Sequence, residues 1–239
     1  MDINTINYMD YGQDKKGVIV LLHGWGQNIE MMNMLGEPFQ EDFRIIVIDF
    51  PGFGKSPEPD KAWSVEDYTT CLFEFLKEKK VENPILIGHS FGGRVSICYA
   101  SKYKTKKVVL LSSPYRPIYK KPSKKTIIYK KVKKIKLLKP LATYLKKKWG
   151  SADYNNASDI MRGTLVKVIN EDLTENAKKI TCPVVLIYGE NDIDVKLEIG
   201  KELENLIKDS GLIVYPGCSH YAYLEDLNKT LSIIDSFIK

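Results

Sequence analysis

The sequence predicts an α/β fold whose central β-sheet is mostly parallel. Short apolar runs bounded by turn residues recur along the chain, and they lack the alternation of a half-exposed strand. Such runs are typical of parallel strands that are buried on both faces of a sheet. Stretches with helical spacing separate them, as in a chain that alternates strand and helix. The predicted strands are residues 18–22, 45–48, 85–87, 108–111, 184–187 and 212–214.

Three of the separating stretches are predicted to be helices. Residues 65–80 and 195–208 each place apolar side chains at three- and four-residue spacing, which puts them on one side of a helix. Residues 95–100 form a short helical run directly after the strand at 85–87. Each of these stretches can cover the sheet with its apolar side.

The alternation of strand and helix breaks between residue 114 and about residue 162. Apolar residues recur there among lysines, which predicts an amphipathic basic helix over 128–138, ended by Pro140, and a second short helix over 141–149. We therefore expect a core domain of residues 1–113 and 166–239, with a lysine-rich helical cap formed by residues 114–165.

The charge distribution supports a separate basic unit. The 239-residue chain has a net charge of +6, and residues 115–150 contain 14 Lys and Arg. Removing these 14 charges from +6 leaves −8 for the rest of the chain, so the basic character belongs to this segment. The segment could be a solvated helix face, or it could attract an acidic carrier such as acyl carrier protein, an anionic lipid surface or an anionic substrate. Nucleic acid is not expected, because no recognised binding module accompanies the charge.

The composition excludes collagen-like, low-complexity and wholly disordered proteins. Hydrophobic residues make up 44% and charged residues 28%, as in ordinary globular domains. No apolar run approaches the ~18 residues of a membrane span, and the N-terminus lacks a secretory signal, so we expect a cytoplasmic protein. The four cysteines and three histidines show no metal-ligand spacing, and neither a metal nor a cofactor is expected.

The strongest chemical motif is Gly88-His-Ser90-Phe-Gly92, which follows a predicted strand and precedes a helical run. A G-x-S-x-G sequence in this context predicts a nucleophile elbow, a tight turn that holds the serine hydroxyl at a helix N-terminus. Side chains at positions 88 and 92 would clash in such a turn. Ser90 could also be a simple helix cap, but the flanking glycines favour the nucleophile.

A serine nucleophile needs a base and an orienting carboxylate. His220 follows the last predicted strand, and Asp192 follows the strand at 184–187, which gives the chain order Ser, Asp, His. Asp194 is a rival to Asp192, and Asp49 ends another predicted strand.

The oxyanion and the acyl group also need partners. The backbone N–H groups of Phe91 and Trp25 are expected to form the oxyanion hole, and the side chains of Trp25, Phe91 and Tyr221 are expected to line the substrate pocket. His23 and His89 are interpreted as orienting residues. Asp49 and Arg94 are expected to fix loops rather than to take part in the chemistry.

Five motifs together resemble the α/β-hydrolase superfamily, in the branch with a helical cap after strand six. The resemblance implies the α/β-hydrolase fold, and it favours Asp192 over Asp194 as the acid. The His23-Gly-Trp-Gly26 motif and the overall size are also similar to those of pimeloyl-acyl-carrier-protein methyl ester esterases, and Gly92-Gly93-Arg94 is similar to a motif of the menaquinone-pathway lyases of this fold. A serine at position 90 disfavours the branches with an aspartate nucleophile. The motifs are His23-Gly-Trp-Gly26, residues 49–56, Gly88–Gly93, Gly189-Glu-Asn-Asp192 and Gly217-Cys-Ser-His220.

These features predict a cofactor-independent serine hydrolase that cleaves carboxylic esters or thioesters through an acyl-enzyme on Ser90. A lyase or a C–C bond hydrolase on the same fold is an alternative, and a non-catalytic ligand-binding protein is another. Acyl length, leaving group and oligomeric state are not predicted.

Overall fold

A computed structural model describes residues 2–118 and 157–239. In this part of the chain seven strands form one sheet in the order β1-β3-β2-β4-β5-β6-β7. Only β1 is antiparallel to its neighbour. The strands are β1 (Tyr8–Tyr11), β2 (Gly17–Leu22), β3 (Phe43–Ile48), β4 (Ile85–His89), β5 (Lys107–Leu111), β6 (Val184–Gly189) and β7 (Ser210–Tyr215).

Helices cover both faces of this sheet. The α-helices are α1 (Ile29–Gly36), α2 (Val65–Glu78), α3 (Phe91–Ala100), α4 (Asp159–Asn170), α5 (Thr174–Lys178), α6 (Leu197–Leu206), α7 (Ala222–Glu225) and α8 (Leu227–Ile238). Two 3-10 turns, Ile3–Thr5 and Glu37–Phe39, complete the set in the described ranges. None of these helices is long and apolar enough to cross a membrane.

The core consists of two layers, one on each side of the sheet. Successive residues of β2 belong alternately to the two layers: Val20 and Leu22 pack with α2 and α3, whereas Ile19 and Leu21 pack with α1 and α8. Because both faces are buried, neither set of alternating positions is polar. This arrangement explains the continuous apolar runs in the sequence and confirms the predicted fold class.

The predicted strands are all present, and the structure adds a seventh. β1 was missed because it is a four-residue edge strand with exposed or half-buried side chains, so it lacks an apolar run. It pairs antiparallel with β3, where Tyr8 lies opposite Ile48. The helix predicted over 65–80 is α2, which begins with a capping box between Ser64 and Asp67.

The predicted cap lies mostly outside the described residues. The chain leaves the sheet after β5, the fifth strand in this numbering, and returns at β6. The helices predicted over 128–138 and 141–149 fall in the undescribed range. The helix α4 crosses the predicted boundary at 165/166, and the Thr164 hydroxyl on it accepts a hydrogen bond from the Trp63 N–H (3.0 Å). The exact division into core and cap stays a prediction.

Candidate active site

Ser90 occupies a strained turn between β4 and α3. Its backbone has φ +49° and ψ −105°, a left-handed conformation that is costly for a residue with a side chain. The N–H of Ser90 donates to the carbonyl of Leu111 at the end of β5 (2.9 Å), which fixes the turn. The side chain does not cap α3. The simple capping interpretation therefore does not describe this serine.

Close packing at Gly92 allows this turn to sit against the sheet. A Cβ at Gly92 would lie 2.1 Å from the carbonyl oxygen of Leu22, and one at Gly88 would lie 2.5 Å from Ser96 Oγ. The first clash is with backbone, so no rotation of a side chain could relieve it. The expectation that side chains would clash at these two positions agrees with the geometry.

His220 and Asp192 form a hydrogen-bonded pair at the C-terminal edge of the sheet. Asp192 follows β6, His220 follows β7, and the Nδ1–H of His220 donates to Asp192 Oδ2 (2.7 Å). The two loops meet closely because residue 189 is glycine: a Cβ there would lie 2.1 Å from the carbonyl oxygen of Ser219. The Asn191 N–H also donates to the Cys218 carbonyl (2.8 Å), which ties the loops together.

Asp192, rather than Asp194, contacts the histidine. The second oxygen of Asp192, Oδ1, accepts the backbone N–H groups of Asp194 and Val195, each at 2.8 Å. Burial would by itself raise the pKa of Asp192, but the hydrogen bonds from His220 and from these two amides lower the pKa below its usual value. The buried carboxylate is therefore ionised at neutral pH and holds the Nδ1–H tautomer of His220.

Ser90 and His220 are close in the fold but are not hydrogen-bonded to each other. His89, which directly precedes Ser90, connects them: its ring lies 4.9 Å from the His220 ring, and its Nε2 lies 3.2 Å from the His220 carbonyl oxygen. Serine–histidine bonds are often open when no substrate is bound. The structure thus places His220 beside Asp192 and beside His89, the residue before Ser90; the hydrogen bond between His220 and Asp192 is formed, and the assignment of the three residues as a catalytic triad stays a prediction.

His89 is a buried, neutral connector. Its Nδ1 faces the side-chain oxygen of Gln27 (3.2 Å), so the two ring nitrogens point at two different loops. Burial, and to a smaller extent the neighbouring His220, lower the pKa of His89 to about 3. The ring therefore carries one proton on nitrogen and no charge. The Gln27 oxygen also accepts the N–H of Gly24 (2.9 Å), which extends this connection to the loop after β2.

The predicted oxyanion donors are available. Within the described ranges, neither the Trp25 N–H nor the Phe91 N–H donates to a protein acceptor. Phe91 is the first residue of α3, where amides have no intrahelical partner. Trp25 lies between Gly24, whose N–H is bound by Gln27, and Gly26, whose φ is +72°. Sequence reasoning did not find Gln27, because a polar residue in a loop carries no periodic or motif signal.

His23 and Asp49 fix the loops around the site. The Nδ1–H of His23 donates to the Gly24 carbonyl (2.7 Å), and Nε2 accepts the Phe50 N–H (3.0 Å). Burial lowers the pKa of His23 to about 4. The Asp49 carboxylate accepts the backbone N–H groups of Ile29 (2.8 Å) and Lys55 (2.9 Å). All of these contacts are with backbone groups. They agree with the interpretation of His23 as an orienting residue and of Asp49 as a loop-fixing residue.

A cavity of about 360 Å³ opens at Ser90. Its size is within the usual range for a small-molecule site. The Trp25 and Phe91 rings, 5.6 Å apart, form part of its wall. His220 and Tyr221 are not among its described lining residues; Tyr221 is 41% exposed and lies beside the rings of His220 and His89. The lining includes Trp25, Ser90, Phe91, Arg94, Val168 and Asp194.

Arg94 has the loop-fixing contacts that the sequence suggested. It projects from the first turn of α3 and is only 3% exposed. Its Nη1 donates to the Pro114 carbonyl (3.1 Å), and its Nη2 donates to the Glu171 carbonyl. Arg94 thereby connects α3 to the chain on either side of the undescribed segment.

Known proteins share the fold of this chain. A family model described as the alpha/beta hydrolase fold matches residues 17–126, which include the turn at Ser90. Residues 17–126 therefore match the alpha/beta hydrolase fold, and relatives and solved structures that cover nearly the whole chain are similar to it. Its seven-stranded sheet, with the Ser90 turn after β4, agrees with this match.

Relatives and solved structures cover nearly the whole chain. The AB hydrolase superfamily protein YisY of Bacillus subtilis is 28% identical over 92% of this chain and 90% of its own. A pimeloyl-acyl-carrier-protein methyl ester esterase of Vibrio cholerae is 26% identical over 90% of both chains. An esterase of Exiguobacterium antarcticum superimposes with a TM-score of 0.76 at 20% identity, covering 98% of this chain and 95% of its own. Proteins described as esterases are therefore among those that this chain is similar to.

Proposed function

We propose that this protein is a cofactor-independent serine hydrolase that cleaves carboxylic esters or thioesters of small molecules. The observation that carries the proposal is the His220–Asp192 hydrogen bond of 2.7 Å, formed next to a serine held in a strained turn. The esterase relatives support an ester as the bond that is cleaved.

The proposed reaction proceeds through an acyl-enzyme. Ser90 Oγ attacks the carbonyl carbon of the ester while His220 Nε2 accepts the hydroxyl proton. His220 then gives this proton to the departing alkoxide or thiolate. A water molecule, deprotonated by His220, attacks the acyl carbon and releases the acid and free Ser90.

The other site residues stabilise the charges that develop in this reaction. The ionised Asp192 carboxylate stabilises the His220 imidazolium through the Nδ1–H. The unengaged N–H groups of Trp25 and Phe91 are available to the oxyanion of the tetrahedral intermediates. His89 and Gln27 hold the loops of the base and of the oxyanion hole in register.

Labelling with a fluorophosphonate probe tests the nucleophile. We expect wild type to be labelled and to hydrolyse p-nitrophenyl butyrate, and Ser90→Ala to do neither while keeping its circular dichroism spectrum. Ser232→Ala, which changes an exposed serine on α8, is the matched control and should be labelled like wild type. Labelling of the folded Ser90→Ala variant, or no labelling of folded wild type, would contradict the proposal.

A further inference from the structure

The guanidinium of Arg94 is the one buried cation that lines the cavity at Ser90, within the part of the chain that the structure describes. Residues 90 and 94 are one helical turn apart, so the arginine lies close to the position of the acyl group. A buried charge of this kind is ordinarily paired with an opposite charge. The groups around the Arg94 guanidinium therefore indicate which kind of ligand the cavity can bind.

Arg94 retains an unused donor. Two of its nitrogens donate to the carbonyls of Pro114 and Glu171, but the buried Nε has no hydrogen-bond partner. Glu171 and Asp172 attract the guanidinium through space, but their carboxylates hydrogen-bond other groups: Glu171 Oε2 accepts the Val65 N–H (2.9 Å), and Asp172 Oδ1 accepts the Thr174 N–H (2.9 Å). Burial lowers the pKa of Arg94 to about 10, so the group is still charged at neutral pH.

The other three arginines of the chain each contact a carboxylate. Arg44 binds Asp10 through Nε (2.9 Å) and Nη2 (2.8 Å), and Arg162 binds Asp159 (2.9 Å). Arg116, which also lines the cavity, binds Glu202 through Nε (2.9 Å) and Nη2 (2.8 Å). Among the described residues, Arg94 alone is an arginine without such a partner. The cavity therefore contains one guanidinium that makes no salt bridge among the described residues and that Glu171 and Asp172 attract only through space.

The geometry points to Arg94 as the binding residue for a carboxylate that the acyl group of the substrate carries in addition to the scissile ester. This inference rests on the proposed function and names its substrate class: half-esters or half-thioesters of dicarboxylic acids. A carboxylate at the Arg94 end of the cavity would offset the charge of the guanidinium. Asp194 lines the same cavity, so a second negative charge is favoured only at the Arg94 side.

The remaining lining fits the chain between the two ends of such an acid. Leu165, Val168 and Ile169 supply apolar surface from α4. A methylene chain can bury against these side chains while the ester carbonyl lies at Ser90 and the carboxylate at Arg94. A neutral ester of equal length would fill the same space and leave the charge of Arg94 unpaired, which costs affinity.

Matched esters test this specificity directly. We expect wild type to hydrolyse monomethyl adipate with a kcat/KM at least about tenfold above that of methyl hexanoate. Arg94→Met should reduce this ratio to about one, and Arg94→Lys should restore part of it because the charge remains. The methyl hexanoate rate of each variant serves as its internal control for folding. The double variant Arg44→Met/Asp10→Asn removes an ion pair between β3 and the edge strand β1, outside the described lining of the cavity, and should keep the wild-type ratio.

Three results would overturn the inference: a ratio near one in wild type, a wild-type ratio in Arg94→Met, or an equal loss in the double variant. If Arg94→Met does not fold, protection of Ser90 from fluorophosphonate by adipate but not by hexanoate supports the inference, and equal protection contradicts it. If wild type is neither labelled nor active, the proposed function fails. Calorimetry then decides the carboxylate site alone, because adipate must still bind to wild type more tightly than hexanoate.

Discussion

Asp192 and Asp194 are two residues apart in the same loop, but the hydrogen bond to His220 is made by Asp192. Both carboxylates follow β6, and they have the same intrinsic chemistry. One oxygen of Asp192 accepts two backbone amides, which leaves the other oxygen directed at His220. The backbone N–H of Asp194 is one of those two donors. The fold of this loop, more than the residue type, makes Asp192 the partner of the histidine.

This difference predicts opposite outcomes for two conservative substitutions. Asp192→Asn removes the charge that stabilises the imidazolium and presents an N–H₂ group to Nδ1, so kcat should fall by about 10³–10⁴-fold. Asp194→Asn keeps the backbone N–H that binds Asp192, and kcat should stay within about tenfold of wild type. Steady-state hydrolysis of p-nitrophenyl butyrate measures both. A larger loss for Asp194→Asn than for Asp192→Asn would exclude the proposed assignment.

Some residues of this site can be predicted from local sequence patterns, and others cannot. Ser90 is identified by its glycines, and His220 by a loop position after the last strand. The choice between Asp192 and Asp194 depends on loop geometry, which periodicity does not encode. Gln27 and the spare donor of Arg94 depend on contacts between distant segments, so no local pattern marks them.

At the scale of elements, the seating of α3 on the sheet depends on a close backbone approach. Gly92 faces the Leu22 carbonyl at the end of β2, and this approach sets both the height of Ser90 and the position of the Phe91 amide. A larger residue at position 92 would push α3 away from the sheet. Stability and catalysis should therefore fail together at this position.

Gly92→Ala should lower the free energy of unfolding by about 2–4 kcal/mol, because its Cβ would overlap a backbone oxygen that cannot move aside. Gly211→Ala is the matched control, since a Cβ there has nothing within 4 Å. Alanine in that strand should leave the free energy of unfolding unchanged or raise it by about 0.5 kcal/mol. Urea unfolding followed by circular dichroism measures both, and equal stability of the two variants would disprove the packing argument.

Strands that are buried on both faces could be predicted because they consist of consecutive apolar residues. The five strands from β2 to β6 have this property, and β7, which is mostly half-buried, still contains the apolar run 212–214; all six were located to within a few residues. β1 lies at the sheet edge, where polar side chains are tolerated, and its pairing with β3 depends on a long-range contact. The helix α4 begins with a Ser158 cap inside the predicted insertion, and its packing on residue 63 is again tertiary.

At the scale of the whole molecule, two of the three histidines are buried, and they make the stability of the fold depend on pH. His23 and His89 are buried and neutral, with pKa values lowered to about 4 and about 3. In an unfolded chain both would titrate near pH 6.5. The unfolded state therefore binds more protons than the native state between about pH 6.5 and pH 4, and stability must fall as the pH falls through this range.

We expect each of these histidines to cost about 1–2 kcal/mol of stability between pH 7 and pH 5. His89→Gln and His23→Gln replace the titrating ring by an amide that cannot be protonated in this range. Each variant can be less stable than wild type at pH 7, but its free energy of unfolding should depend less on pH, and the double variant should have the flattest profile. Urea titrations at half-unit intervals from pH 7.5 to pH 5 measure this slope. The test compares how steeply the free energy of unfolding changes with pH, not its absolute value. If both single variants show the same pH dependence as wild type, protonation of His23 and His89 is not what destabilises the protein at low pH.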